Sequence, residues 1–443
     1  MHDLTGDKDA VLRVLAETIK HLGLNHPRTA RVGIKTLSLR SASHWPGERD
    51  EIVSQLQRAY ERARNEEAKQ PAKLARRGRP QKPWYTPRDR TIALLQSAMD
   101  EYLDKRAAKI DRAARKAMTG LKARKPAPVS EPVAMKALFG EQFDTVDPGW
   151  IEVVLEQLKQ AFQKKARFIT HSKPADFRFQ LADHARIAIV GDWGGGNDAA
   201  RLIAQQIKAH DPDHVIHLGD VYYAGTEKEV KNRFLKLWSF WQTPDVPGRS
   251  LSLNSNHEMY SGGHAYFNVT LKAFKQPASY FSLGNAHWRF IGLDTAYVDH
   301  NLNKEQADWL KAQLGDGFAR NILLSHHQLF SAYEQTEAGL ETWLNPYLEA
   351  GKLAGWFWGH EHLMVIYDPF KGMNARCIGN GCFPYDVPPL HPPLPGFPVA
   401  FVNRRKQPNN RGIHSFALLT VDGANLHADY IDEDGTVSYM EDW

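Results

Sequence analysis

Two stretches in the second half of the sequence decide the fold: residues 186–194 read RIAIVGDWG, and residues 214–223 read HVIHLGDVYY. Each begins as a short run of β-branched and other apolar residues and ends in a Gly-Asp loop. Such runs are typical of strands that are buried on both faces of a sheet. Between them, residues 199–209 show apolar positions at helical spacing. The alternation predicts an α/β domain in which sheets lie between layers of helices.

Further strand-like runs at 251–253 and 322–324 extend this pattern toward the carboxyl terminus. The segment 279–295 predicts a hairpin because a glycine and an asparagine divide two apolar runs. Helical spacing returns at 304–314. The second half therefore continues as one α/β domain, which we predict to cover residues 180–443.

Side chains that can bind metals cluster in the loops that follow these strand-like runs. Taken singly, each motif is weak evidence, since short motifs arise readily by chance. In one order, and each at a strand end, they predict a metal site assembled between about Asp192 and His362. The five motifs are Gly191-Asp192-Trp193-Gly194, Gly219-Asp220-Val221-Tyr222-Tyr223, Asn256-His257-Glu258, His326-His327 and Gly359-His360-Glu361-His362.

In this order the motifs resemble the calcineurin-like metallophosphoesterase superfamily, and within it the purple acid phosphatase branch. The resemblance covers roughly residues 186–385. Two positions carry the branch assignment: Gly194 stands where many relatives have a histidine, and Tyr223 follows Asp220 by three residues. The resemblance implies a four-layer α/β/β/α sandwich with two central sheets.

The resemblance also implies a dinuclear metal centre. A tyrosine phenolate favours iron at one position, and zinc, manganese or a second iron then suits the other, since imidazole and carboxylate ligands accept all three. The His326-His327 pair leaves the ligand ambiguous, and we prefer His326 because relatives place it first after the strand. The implied ligands are Asp192, Tyr223 and His362 at the first metal, Asn256, His326 and His360 at the second, and Asp220 as the bridge.

His257 follows a predicted ligand directly, and in the resembling family this histidine contacts substrate. We predict that it binds phosphate or donates a proton to the leaving oxygen, a normal role for imidazole near neutral pH. Asp220 is the second predicted catalytic residue, through its position between the metals. His264, in a glycine-containing segment, and His327 are further candidate substrate contacts.

The first part of the chain has a different pattern. Residues 1–175 show several apolar periodicities typical of helices and predict an all-helical domain. Its stretch 71–130 contains sixteen Lys plus Arg against five Asp plus Glu. Arg77-Gly78-Arg79-Pro80 resembles the core of an AT-hook, which makes nucleic-acid contact an alternative to a solvated helix face or a partner site.

The composition is ordinary for a soluble globular protein, with 42% hydrophobic and 24% charged residues. No run of eighteen apolar residues is present, so the sequence predicts no membrane contact. The amino terminus has no secretory pattern, and Cys377 and Cys382 are the only cysteines. These features predict a cytoplasmic location.

The predicted function is hydrolysis of a phosphomonoester by metal-activated hydroxide, with a phosphorylated small molecule or a phosphoprotein as substrate. One alternative is a phosphodiesterase for nucleotides or nucleic acid, in which the basic stretch 71–130 binds the polyanion. Another is a scaffold whose helical part binds a partner while the phosphatase half is inert.

Overall fold

The computed structural model describes Ala93 and residues 164–443, without 239–245, 319, 334–338, 384, 386, 388–396 and 409–410. Most of the predicted helical domain, and the basic stretch 71–130 apart from Ala93, lie outside the described residues. Within 164–175 the chain forms no helix, and Phe168 stacks on Tyr280 with ring centroids 5.6 Å apart. Among the described residues, no helix is long and apolar enough to span a bilayer. The predicted domain boundary stays a prediction.

Strands and helices alternate through the first part of the described domain, and strands dominate its end. The strands are β1 (Arg178–Gln180), β2 (His184–Val190), β3 (His214–His217), β4 (Ser250–Ser252), β5 (Phe281–Gly284), β6 (Arg289–Leu293), β7 (Asn321–Ser325), β8 (Leu353–Trp358), β9 (Met364–Tyr367), β10 (Asn374–Ile378), β11 (Val399–Val402), β12 (Ser415–Asp422), β13 (Asn425–Asp432) and β14 (Val437–Asp442).

Two of the helices begin at asparagine caps. The side chain of Asn197 accepts a hydrogen bond from Ala200 N, and that of Asn303 accepts one from Gln306 N. The α-helices are α1 (Asp198–His210), α2 (Glu227–Glu229), α3 (Lys236–Trp238), α4 (Asn256–Met259), α5 (Leu271–Ala273), α6 (Lys304–Leu314) and α7 (Glu341–Glu349), and π-helical turns cover Val230–Leu235 and Tyr266–Thr270.

The strands form two sheets. The smaller one has the order β14-β13-β12-β2-β3-β4, in which β2, β3 and β4 run parallel. The larger one has the order β1-β5-β6-β7-β8-β10-β9-β11, with β6, β7, β8 and β10 parallel. β5 and β6 form the hairpin that the sequence predicts at 279–295.

The two sheets pack face to face, and helices cover their outer faces. In β2, Ile187 and Ile189 belong to the core between the sheets, together with Phe290 and Ile322 of the larger sheet. The alternate residues of β2 belong to a second core with α1, and the outer face of the larger sheet packs against α6 and α7. The predicted four-layer α/β/β/α sandwich is confirmed for the catalytic part.

This arrangement brings five predicted motifs to one edge of the sandwich. β2, β3, β4, β7 and β8 each lead directly into one of them at their carboxyl ends. Backbone hydrogen bonds join the loops where they leave the sheets: Leu218 N donates to Val190 O at 2.9 Å, and Gly359 N donates to His326 O at 3.1 Å. The rigid strands therefore fix where the loops begin.

Ile322 tests how strongly this framework depends on the core between the sheets. Its side chain is 0% exposed, so Ile322→Ala should lower the free energy of unfolding by about 2–5 kcal/mol through lost burial and a cavity. Leu202 on α1 is 42% exposed, and Leu202→Ala should change it by less than ~0.5 kcal/mol. Denaturant unfolding of both variants measures the difference, and equal losses would contradict this view of the core.

Candidate metal centre

The first cluster of predicted ligands gathers around Asp192. Its Oδ1 lies 3.4 Å from His362 Nε2, and its Oδ2 accepts a hydrogen bond from the His360 backbone N at 2.7 Å. The Tyr222 hydroxyl lies 3.0 Å from both Asp192 Oδ1 and His362 Nε2. We call Asp192, Tyr222 and His362 the Asp192 group.

The tyrosine in this group is Tyr222, whereas the sequence predicted Tyr223. In the turn that contains both residues, it is the Tyr222 hydroxyl that lies against Asp192 and His362. The ring of Tyr223 instead faces the guanidinium of Arg233, 5.0 Å from the ring centroid. Counting residues after Asp220 cannot reveal this choice, because it depends on the path of the loop backbone.

Gly194 explains why a tyrosine, rather than a histidine of the first motif, completes the group. A Cβ at this position would lie 2.5 Å from Asp220 O and from Val221 Cα, which is backbone that cannot move away. Gly194 N donates to Asp220 O at 3.0 Å, and Tyr222 N donates back to Gly194 O at 3.2 Å. The close contact of the two loops excludes a side chain here and positions Tyr222.

The second cluster forms around His326. Its Nε2 lies 2.8 Å from Asn256 Oδ1, 3.2 Å from His360 Nδ1 and 3.2 Å from Asp220 Oδ1. The amide of Asn256 also donates from Nδ2 to the Tyr260 hydroxyl at 2.8 Å, which turns its Oδ1 toward the cluster. We call Asn256, His326 and His360 the His326 group.

The neighbouring His327 does not join this group through its hydrogen bonds. Its Nδ1 lies 3.0 Å from Thr295 Oγ1, and its ring is 3.9 Å from that of His300. Of the two adjacent histidines, the structure brings His326 to Asn256 and Asp220. Another candidate contact, His264, is half-buried, and its Nε2 lies 2.9 Å from Lys164 O.

The tautomer of His326 favours metal binding. Burial lowers the pKa of this imidazole, so the ring is neutral and carries a single N–H. Its Nδ1 lies 3.0 Å from the carbonyl oxygen of Leu218, which can only accept, so the N–H is on Nδ1. The lone pair on Nε2 therefore faces the oxygens of Asn256 and Asp220. Facing lone pairs of this kind are satisfied by a cation.

The two buried carboxylates support the same conclusion. Burial raises the pKa of Asp192 well above its usual range, and the adjacent Asp220 raises it further. Burial also opposes ionisation of Asp220, but His257 and His326 lower the pKa of that carboxyl below its usual range. Within the described chain, Asp220 Oδ1 is buried without a hydrogen-bond partner. Ligand atoms of Asp192, Asp220 and His362 lie within 4.8 Å of one another, so these residues fit a metal ion.

Glu258 is a residue whose role the sequence motifs did not reveal. Its Oε2 accepts from the Asp220 backbone N at 3.3 Å, and it is also bonded to Ser255. Burial, followed by repulsion from Asp220, raises the pKa of Glu258 to about 8. This carboxyl holds the Asp220 loop and stays largely uncharged near pH 7, so it adds little negative charge to the site.

His257 lies on the far side of Asp220 from His326. Its Nε2 is 3.8 Å from Asp220 Oδ2, and its Nδ1 lies 2.5 Å from the carbonyl oxygen of Tyr223. The carbonyl only accepts, so Nδ1 carries a proton and Nε2 is the nitrogen that can exchange one. The side chain is 2% exposed, next to the rings of Tyr222 and Tyr260.

Asp220 contacts both groups, and its removal should therefore affect the metal content of both. Asp220→Asn keeps the shape of the side chain but replaces an anion with a neutral amide, which bridges cations poorly. We expect metal bound per chain, measured by elemental analysis after equilibrium dialysis, to fall at both positions. Asp213→Asn, on an exposed loop carboxylate outside the cluster, is the control. Full metal content in Asp220→Asn would contradict the assignment.

Residues 185–364 match the sequence model of the calcineurin-like phosphoesterase family. No curated protein matches the chain by sequence. Among solved structures, the chain is similar to the purple acid phosphatase PPD1 from yellow lupin (Lupinus luteus) seeds, with 19% identity over 59% of this chain and 54% of that chain and a TM-score of 0.48. The match thus spans about half of the lupin protein, 54%.

Two other similar structures match this chain over a larger share of their own length than the lupin protein does. GAP50, the anchor in the inner membrane complex of Plasmodium, shows 16% identity over 58% of this chain and 88% of that chain, with a TM-score of 0.46. A dimetal phosphatase from Danio rerio shows 12% identity over 58% and 98%, with a TM-score of 0.39. The family match thus covers the part of the chain that contains the first strands of the sandwich and the five ligand loops, and residues 185–364 form a calcineurin-like phosphoesterase domain.

Proposed function

We propose that the chain hydrolyses phosphate monoesters at a dinuclear metal centre that contains iron together with zinc, manganese or a second iron. The observation that carries the proposal is the position of Asp220, whose carboxylate touches both the Asp192 group and the His326 group. One carboxylate between two sets of ligands is the arrangement that two neighbouring cations require. Phosphorylated small molecules and phosphoproteins are the proposed substrates.

In this proposal the Asp192 group holds the first metal, the His326 group holds the second, and Asp220 bridges them. When bound, the two cations supply Lewis acidity toward a phosphoryl group and lower the pKa of water. The protein contributes two carboxylates and a tyrosine hydroxyl, which offset part of the positive charge. The loops that carry these side chains leave rigid strands, so the ligands are positioned before substrate binds.

A tyrosine in the cluster agrees with the purple acid phosphatase branch, although it is Tyr222 and not Tyr223, the residue on which the sequence pattern rested. Burial and the carboxylates of Asp192 and Asp220 raise the pKa of the Tyr222 hydroxyl well above its usual range, so it remains protonated until a cation replaces the proton. A phenolate oxygen is a hard ligand and favours Fe(III). Tyr222 is therefore the proposed iron ligand.

His257 is the proposed proton donor. Its Nδ1–H is held by the Tyr223 carbonyl, so the imidazolium form presents its second proton on Nε2, beside Asp220. Transfer of that proton to the leaving oxygen yields an alcohol and a neutral imidazole that keeps its Nδ1–H. The ring needs no rotation during this step, since the carbonyl fixes its orientation.

Nucleic-acid binding, the diesterase alternative and the inert scaffold all depend on residues 71–130 or 1–175, of which most lie outside the described residues. They stay predictions, as does the cytoplasmic location. Both cysteines are buried, and no disulfide joins them.

The colour of the iron-loaded protein tests the tyrosine ligand. Charge transfer from a phenolate to Fe(III) should give the oxidised protein a violet absorption band. Tyr222→Phe removes the hydroxyl that lies 3.0 Å from Asp192 Oδ1 and should abolish the band. Tyr223→Phe is the matched control and should keep it. Loss of the band in Tyr223→Phe alone would restore the ligand that the sequence pattern predicted.

The substrate class is tested with p-nitrophenyl phosphate and its bis-ester. Metal-loaded protein should turn over the monoester much faster, and exclusive turnover of the diester would reject the proposal in favour of a phosphodiesterase.

His257→Gln should slow hydrolysis of the monoester by about 10²-fold or more. Alkyl phosphates should be slowed further, because their poor leaving groups depend more on the donated proton. His287→Ala, on an exposed histidine, is the control and should leave kcat unchanged.

A further inference from the structure

The loop that carries Asn256 and His257 is held at both of its ends by residues outside the proposed ligand set. It covers residues 254–264 and includes α4, and we call it the Asn256 loop. Asn256 is a proposed ligand of the second metal, and His257 is the proposed proton donor. The position of this one loop therefore affects both metal binding and proton transfer.

Asp294 holds the start of the Asn256 loop. This residue follows β6 directly and is 1% exposed. Its Oδ1 and Oδ2 accept hydrogen bonds from Asn254 Nδ2 at 3.1 and 3.2 Å. The backbone of Asp294 is held in turn by Gln306 of α6, which accepts from Asp294 N at 2.8 Å and donates to Asp294 O at 2.9 Å. The carboxyl group is thus a fixed acceptor for the residue two positions before Asn256.

Two glycines turn the end of the Asn256 loop back on itself. Gly262 and Gly263 have φ values of 81° and 76°, in a region that glycine adopts far more readily than other residues. Gly262 N donates to Met259 O at 2.9 Å, and Gly263 N donates to Glu258 O at 3.0 Å. This turn closes α4. It also presents Gly262 O to the backbone of Ala166, whose N donates to it at 2.8 Å.

Residues 164–168 lie along the end of the Asn256 loop. Ala166 is 5% exposed and belongs to one apolar cluster with Met259 and Phe267. A second contact joins the same two segments, since His264 Nε2 lies 2.9 Å from Lys164 O. The bond from Ala166 to Gly262 is therefore supported by apolar packing on one side and by a polar contact on the other.

Tyr297 connects the two ends of the loop. Its backbone N donates to Asp294 Oδ1 at 2.9 Å, and its hydroxyl donates to Ala166 O at 2.9 Å. Its carbonyl oxygen accepts from Lys165 Nζ at 2.8 Å, and its ring centroid lies 4.9 Å from that of Phe168. Tyr297 thus links the residue that holds the start of the Asn256 loop to the segment that holds its end.

On the basis of the proposed function, we propose that Tyr297 and residues 164–168 form a clamp that positions Asn256 and His257 for metal binding and proton transfer. A loop that is fixed at one end can pivot, whereas a loop fixed at both ends keeps its side chains in one arrangement. Small displacements of positioned groups are costly for catalysis. Tyr297 is a positioning residue, since it acts through the Asn256 loop.

A purely structural role of the clamp is the alternative, and the two metal positions distinguish it. The Asp192 group belongs to the loops after β2, β3 and β8, whereas the clamp holds the loop after β4. Loosening the clamp should therefore weaken binding of the second metal and leave the first metal in place. General destabilisation of the fold would weaken both positions alike.

Zinc affinity of the full-length protein tests this difference. Tyr297→Phe removes the hydroxyl that bonds Ala166 O and keeps the ring. In protein loaded with Fe(III) and zinc, it should lower zinc affinity about fivefold, the equivalent of one hydrogen bond, as measured by competition with a chelator. The violet band of the iron should stay unchanged. Tyr280→Phe is the matched control, because its hydroxyl accepts from His171 N at 2.9 Å, outside the clamp, and it should keep wild-type zinc affinity.

Hydrogen exchange tests the clamp without any metal. In metal-free full-length protein, Tyr297→Phe should speed exchange of the backbone amides in residues 254–264 about fivefold, and Tyr280→Phe should not. Ala166→Pro removes the N–H that bonds Gly262 O and should act like Tyr297→Phe. Thermal midpoints show whether each variant keeps its fold, and if Ala166→Pro unfolds, Tyr297→Phe decides alone.

Three results would overturn the clamp. They are unchanged exchange in Tyr297→Phe, faster exchange with unchanged zinc affinity, and equal weakening of both metals. The last two would reduce the contacts to a structural role. Failure of the proposed function is a different result, since wild-type protein would then bind fewer than two metals, and the exchange measurement would decide the clamp.

Discussion

The structure depends on two carboxylates, Asp192 and Asp220, which are 0% and 1% exposed and adjacent to each other. Burying one anion is costly, and burying two side by side is tolerated only with strong compensation. Here the compensation comes from backbone N–H groups and from the imidazoles of His257 and His326, and cations held by the ligand groups would add to it. The loops at this edge of the sandwich position the groups that stabilise the two carboxylates.

The loops that hold these two carboxylates contain unfavourable backbone conformations. Asp192, Asp220, His360 and His362 have φ values of 56°, 78°, 69° and 22°, in the left-handed region that side chains other than glycine rarely adopt. Such conformations persist where the surrounding structure over-determines them, and they cluster at functional sites. A Cβ on Gly359 would lie 2.5 Å from Asp192 Oδ2, so the two loops are too close together to accept a side chain at this position.

Much of this was predictable from the sequence, because buried strands and the motifs that follow them are local patterns. These patterns predict the four-layer fold. They also predict that six of the seven proposed ligand side chains lie together at one edge. The seventh, Tyr223, did not, since which of two adjacent tyrosines faces the cluster depends on the contact between Gly194 and the Asp220 loop. Glu258 is a similar case, since its contact with the Asp220 backbone N depends on tertiary packing.

The adjacent histidines 326 and 327 differ in what their ring nitrogens contact. A carbonyl acceptor on Nδ1 of His326 leaves a lone pair on Nε2 that suits a cation. His327 instead lies against Thr295, with its Nδ1 3.0 Å from the Thr295 hydroxyl oxygen. His257 lies beside Asp220 Oδ2, and His326 lies beside Oδ1. Under the proposed function, the leaving oxygen would therefore lie on the side of His257, the proposed proton donor.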